Sequence, residues 1–178
     1  MDKSQAVLEN ILSRTSVRAY TSEKVSEEQI DAMLRAAMAA PSSKNRQPAE
    51  YIVVQDRSML DSLASGLRYA KMLAGAPLAI IICARTEFIN RDGQPEHNRF
   101  WEQDAAAACE NLLLAAHALG LGAVWTAASD PERCAVVKDL MGIGDEAMPL
   151  AVVAIGHPAE NPAPKDKWKP EKIHREKW

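Results

Sequence analysis

Cysteine is scarce in this chain: Cys83, Cys109 and Cys134 are all there is in 178 residues. The number is odd and no C-x-x-C occurs, which argues against a disulfide framework. Free thiols packed as small hydrophobes in a reducing compartment are the expectation. No apolar run reaches the roughly 20 residues needed to span a bilayer. The opening MDKSQAVLENILSR is charged throughout and has no signal-type apolar core. A strong charge of one sign is missing too. Lys and Arg number 21 against 24 Asp and Glu, and the net charge of −3 points to neither nucleic acid nor an anionic membrane. His97, His117, His157 and His174 show no metal-binding spacing. A G-x-S-x-G nucleophile elbow and a Walker A loop are absent as well. What is left is the expectation of one soluble, cytoplasmic domain over residues 1–178, with an ordinary globular balance of 47% hydrophobic and 25% charged residues.

What is present is periodic. Val7, Leu8, Ile11 and Leu12 share one face of a helix over 4–14. Ser26 opens a second helix with Gln29 as its capping-box partner, and Pro41 ends it. EYIVVQ (50–55) reads as a strand, and PLAIIICA (77–84) as a strand covered on both faces. Residues 57–74 read as helical, in two pieces around Gly66. Residues 87–99 are polar, turn at Asp92-Gly93, and supply the one candidate lid. Residues 101–119 form the longest helix, apolar nearly all round, with Gly120 as its C′ residue. A short strand over 123–127, a helix over 131–141 and a buried strand over 149–156 follow. Few strands between long helices mean an α+β domain, and local pattern leaves the sheet topology open. The tail from Pro158 carries Trp168, Ile173 and Trp178 as apolar anchors, suited to a neighbouring surface.

Four segments have chemistry in them. In Arg14-Thr15-Ser16-Val17-Arg18, an extended backbone points Arg14, Ser16 and Arg18 the same way. Two guanidiniums and a hydroxyl suit a phosphate, although a solvated basic stretch fits the same spacing. Pro41-Ser42-Ser43-Lys44-Asn45-Arg46-Gln47-Pro48 is a donor-rich loop, or simply a polar turn. Gly120-Leu121-Gly122-Ala123-Val124-Trp125 allows close backbone approach to a ligand, or is a helix cap followed by a strand. Trp125 borders a pocket or fills the core, the core being the favoured place. Lys165, Lys167 and Lys169 cluster in a tail that also reads as solubilising.

Taken together and in this order, the four segments resemble the nitroreductase family of flavoproteins across almost the whole chain. The resemblance implies a nitroreductase-like α+β fold, with a mostly antiparallel central sheet flanked by helices, in an intertwined homodimer with FMN at the subunit interface. It implies Arg14, Thr15 and Ser16 near the FMN phosphate, and Arg18 at the N1/C2-carbonyl edge of the ring. Pro41, Ser42, Ser43 and Asn45 are then contacts across the dimer. Arg68 and Lys71 fall at the pyrimidine edge, where some members have Asn in place of Arg68. The backbone amides of Ala127 and Ala128 face flavin N5. Lys165 and Lys167 complete the phosphate site, with Lys169 as the substitute in a shifted register. The residues at 158–178 wrap the partner subunit. No side chain is implied as a catalytic nucleophile; Arg18 and Lys71 give electrostatic support to the flavin. NADH or NADPH is implied as the hydride donor, in a ping-pong cycle that ends on a nitroaromatic, quinone or flavin acceptor. The same fold hosts dehalogenases and a flavin-fragmenting enzyme, and a flavin-storage protein would keep the same cofactor residues.

Overall fold

Two apolar runs set the middle of the molecule. In the computed structural model, which describes residues 2–178, they form β2 (Leu78–Arg85) and β6 (Ala147–Gly156), side by side and antiparallel. β1 (Ala49–Val54) pairs with the far side of β2, and β5 (Gly122–Ala127) with the far side of β6. The sheet order is β1-β2-β6-β5, antiparallel throughout, in keeping with the mostly antiparallel sheet that the family resemblance implies. Alternation along β2 serves two cores. Leu78, Ile80, Ile82 and Ala84 face α2 (Glu27–Met38) and α4 (Trp101–Ala118). Ala79, Ile81 and Cys83 face α3 (Arg57–Gly66) and α5 (Pro131–Met141). Helices therefore cover both sheet faces, and each buried Ile of β2 contributes about 1.5–3 kcal/mol.

The helix ends follow from their capping residues. The Ser26 hydroxyl accepts from the Gln29 N–H at 3.2 Å, and Gln29 Oε1 accepts from the Ser26 N–H at 3.0 Å. Asp130 caps α5 with Pro131 behind it, and Gly142 closes that helix at φ +67°. Gly120 ends α4 at φ +75°. The helix α1 (Lys3–Ser13) lies against α4, tied by the Asn10 side chain to the Leu114 carbonyl at 3.0 Å. Its Val7, Leu8, Ile11 and Leu12 remain exposed.

Three expectations need adjustment. The 57–74 stretch breaks at Gly66 as read, but its second piece is a single 3-10 turn, Lys71–Ala74. Leu67 is extended and Tyr69 turns left-handed (φ +70°), which stops a second α-helix. The polar 87–99 stretch is a hairpin, β3 (Glu87–Ile89) with β4 (Pro95–His97), closed through Asn90 and Gln94 around Gly93. β6 starts before Pro149: Pro149 stands opposite Cys83 and Ala151 opposite Ile82, so Leu150 is the extra residue of a bulge that lets the strand run through the proline. Among the described residues no helix is long and apolar enough to cross a membrane.

Candidate functional site

Residues 14–18 run along the open edge of β5. The Val17 N–H donates to the Ala123 carbonyl at 3.1 Å, and Ser16 bridges Ala123 in parallel. Val17 is buried against Gly122, where an added Cβ would stand 2.6 Å from Val17 Cγ1. With Val17 turned inward, its neighbours Ser16 and Arg18 turn out. They line a cleft of about 1030 Å³ together with Arg14, Thr15, Lys165 and Lys167. Four cations thus meet two carboxylates, Glu110 and Asp166, in that cleft. Glu110 stands 3.9 Å from the guanidinium of Arg14.

The start of the tail is tied to its own chain. Tyr20 bridges Pro158, and the Ala159 N–H donates to the Ala19 carbonyl at 2.9 Å. Glu160 Oε1 accepts from the N–H groups of Arg18 (2.6 Å) and Ala19 (3.2 Å). The Tyr20 hydroxyl donates to the carbonyls of Val17 (2.6 Å) and Ala154 (3.1 Å). Burial pushes that phenol above its ordinary pKa despite the charge of Arg18, so it stays a neutral donor. Sequence reasoning missed Glu160, since an acid in a Pro- and Lys-rich tail gives no local sign of its partners.

A second cleft, about 1210 Å³, lies on the other side of Arg18 and shares it. Arg68, Lys71, Trp125 and Ala127 line it, with Tyr69 and Arg133. Trp125 therefore borders a pocket while one side packs on the core, a correction to its favoured placement. Ala128 also needs correction. Its N–H donates to the Leu150 carbonyl at 2.8 Å and the residue is fully buried, so that amide is spent inside the sheet. Strand alternation turns the Ala127 amide to the open edge instead, beside the Ala127 carbonyl that accepts from Arg133 at 3.4 Å. The mismatch was invisible in sequence because the partner, Leu150, sits on another strand.

Pro41, Ser42, Ser43 and Asn45 do not join these clefts. Pro41 and Ser42 line a smaller hollow of about 230 Å³ beside Tyr51 and Asp104. The loop holds three non-glycine residues at positive φ: Lys44 (53°), Asn45 (54°) and Gln47 (49°). Side chains over-determine that strain. Asp104, buried in α4, accepts the Ser43 N–H at 2.8 Å and the Asn98 side chain at 3.4 Å. Ser42 Oγ accepts the Gln47 N–H at 2.8 Å. Lys44 and Arg46 reach Glu96 of the hairpin at 3.4 and 3.5 Å, and the Arg46 guanidinium covers Phe88. The hairpin is thus latched to the donor loop. The one hint of this in sequence was Asp104, a carboxylate one position before the apolar run Ala105–Cys109; of the three acids in α4 it alone is buried.

Comparison with known proteins gives the chain's relatives. The nitroreductase family description matches residues 11–67 and 59–157. A protein of Methanothermobacter thermautotrophicus, provisionally named NADH dehydrogenase/NAD(P)H nitroreductase, is 42% identical over 173 residues, 97% of this chain and 87% of that one. A crystal structure from Bacteroides thetaiotaomicron under the same provisional name superimposes with a TM-score of 0.90 at 44% identity, covering 97% and 98% of the two chains. A provisionally named nitroreductase from Desulfovibrio desulfuricans, solved in complex with FMN, gives 0.79 at 34% identity and 97% coverage of each chain. The phosphate-suited edge segment, the second cleft beside it and these matches lead to one statement: the chain belongs to the nitroreductase family.

Proposed function

We propose that the chain is an FMN-dependent oxidoreductase that takes electrons from NADH or NADPH and passes them to a small acceptor of the nitroaromatic, quinone or flavin type. One observation carries the reading: Arg18 belongs to two cation-lined clefts at once. A phosphorylated ribityl chain fits the cleft of Arg14, Ser16, Lys165 and Lys167, and a flat ring fits the second cleft beside Arg18 and Lys71. Between them the residues match a mononucleotide with an anionic end and a planar end. FMN, when bound, supplies the two-electron redox chemistry.

The chain's residues bind and polarise. Arg14 and the tail lysines neutralise the phosphate, and Ser16 adds a hydroxyl. Arg18 and Lys71 put positive charge at the edge of the ring. The edge-facing Ala127 amide offers a neutral donor on the strand side. Two chains are required on this reading. The exposed apolar stripe of α1 and the exposed Trp168, Ile173 and Trp178 supply area for a two-fold contact. The donor loop, separated from the clefts of its own chain, then serves the partner's.

The test starts from the visible spectrum of the purified protein under anaerobic conditions. Flavin bands should bleach with NADH or NADPH and return with a quinone. A chain that neither contains nor takes up FMN overturns the proposal. Arg18→Ala should slow flavin reduction about 100-fold in the FMN-saturated protein, the equivalent of roughly 2.7 kcal/mol for one donor at the low end of its range. An unchanged rate in the loaded variant removes Arg18 from the ring edge.

A further inference from the structure

We propose that Arg68, Tyr69 and Arg133 form an anion site that takes the phosphate-bearing half of the reduced nicotinamide dinucleotide. This rests on the oxidoreductase reading above and adds a donor subsite to it. Tyr69 is the starting point. Its backbone is left-handed at φ +70°, uncommon for a bulky residue, and its ring is 67% exposed, so burial does not hold it there. Two guanidiniums flank the ring instead: Arg68 at 4.9 Å and Arg133 at 5.8 Å from its centroid. They come from elements far apart in sequence, the loop after α3 and the first turn of α5.

Gathering like charges around one ring is unfavourable unless an anion joins them. Arg133 is partly neutralised by Asp130 at 3.2 Å. Arg68 has no carboxylate within 4 Å among the described residues, and unlike Arg18 and Lys71 it is not taken up by the ring edge. The cleft as a whole sets Arg18, Arg68, Lys71 and Arg133 against Glu132 alone. At about 1210 Å³ it also exceeds the roughly 300–1,000 Å³ of an ordinary small-ligand site, leaving room beyond a flavin ring. Guanidinium forks match phosphate oxygens two at a time, which makes phosphate the fitting anion. Two phosphates qualify: the pyrophosphate common to NADH and NADPH, and the 2′-phosphate of NADPH alone.

The experiment compares hydride donors on the holoprotein: NADH, NADPH and 1-benzyl-1,4-dihydronicotinamide, which has no phosphate. The variants are Arg133→Gln and Tyr69→Gly, the latter keeping the left-handed backbone without strain. The KM for a dinucleotide should rise about tenfold in Arg133→Gln, as one charge-assisted pair is lost, and about threefold in Tyr69→Gly, which only frees the guanidiniums, with kcat little changed in both. Kinetics with the phosphate-free donor and the FMN content should stay within about twofold, and Arg133→Lys should restore part of the loss. A rise confined to NADPH assigns the 2′-phosphate, and equal rises assign the pyrophosphate. Unchanged KM values for both dinucleotides overturn the inference, as does an equal loss with the benzyl donor. If the wild-type protein oxidises none of the three donors, the oxidoreductase reading itself fails and takes the subsite with it.

Discussion

Gly122→Ala tests how the phosphate-suited segment is held. A Cβ at Gly122 meets Val17 Cγ1 at 2.6 Å, Cβ at 2.7 Å and Cγ2 at 3.1 Å. Rotating the Val17 side chain moves the two methyls but leaves its Cβ where it is. The backbone of residues 16–18 must therefore retreat, by about 1 Å to reach ordinary carbon contact. Two effects follow. Overpacking at this buried spot costs about 1–3 kcal/mol of stability, read as a lower thermal midpoint. The retreat also shifts the Ser16 hydroxyl and the Arg18 guanidinium, and losing one charge-assisted hydrogen bond costs about 1.5–3 kcal/mol of binding. FMN affinity, measured by fluorescence titration of the apoprotein, should fall roughly 10- to 150-fold. Val17→Gly in the same chain removes all three clashing atoms and should recover much of the affinity. Wild-type affinity and midpoint in Gly122→Ala would refute the idea that this contact positions Ser16 and Arg18.

Other perturbations address the neighbouring features. Asp104→Asn sets an amide donor against the Ser43 N–H or the Asn98 side chain, costing about 1–3 kcal/mol; thermal denaturation and faster hydrogen exchange at Ser43–Gln47 should report it. For Glu96, partial desolvation is outweighed by the hydrogen bond and charge of Lys44 and the charge of Arg46, which hold its carboxyl below the usual range. Its contribution is therefore complete above the ordinary carboxylate pKa and is lost as the pH falls through the lowered one; exchange at 87–97 should quicken over that window, and Glu96→Gln should quicken it already at neutral pH. Burial pushes the Cys83 thiol up to about 12 and raises Cys109 and Cys134 as well. At pH 8 a disulfide reagent should label none of the three until denaturant is added, and labelling of the native protein would contradict their buried placement.

The parts legible in sequence were those decided by neighbours in the chain. The capping box at Ser26 and Gln29, the two-faced strand β2 and the outward alternation of Ser16 and Arg18 about Val17 all depend on spacings of four residues or fewer. What escaped depends on distant partners. The Ala128 amide is taken by Leu150, the donor loop is strained because Asp104 and the hairpin hold it, and Glu160 finds the N–H groups of Arg18 and Ala19. The hairpin itself is short and polar, so no apolar alternation announced it; its Asn90–Gln94 closure and the Glu96 latch do the ordering instead. Register between strands, as at the Leu150 bulge, leaves no trace in a single strand's composition.

The pairing of residues 16–21 with both Ala123 and 157–160 also has a meaning in time. Arg18 and Glu160 are 142 positions apart. During synthesis, Arg14 and Arg18 leave the ribosome well before Glu160, which accepts the Arg18 N–H, and before Lys165 and Lys167, which line the same cleft. A growing chain thus acquires helices and much of its sheet well before that cleft is complete. Completion of the cleft becomes a late event, set by the slow closure of contacts distant in sequence, and a chain halted before Pro158 would carry its arginines without the tail lysines that line the cleft with them.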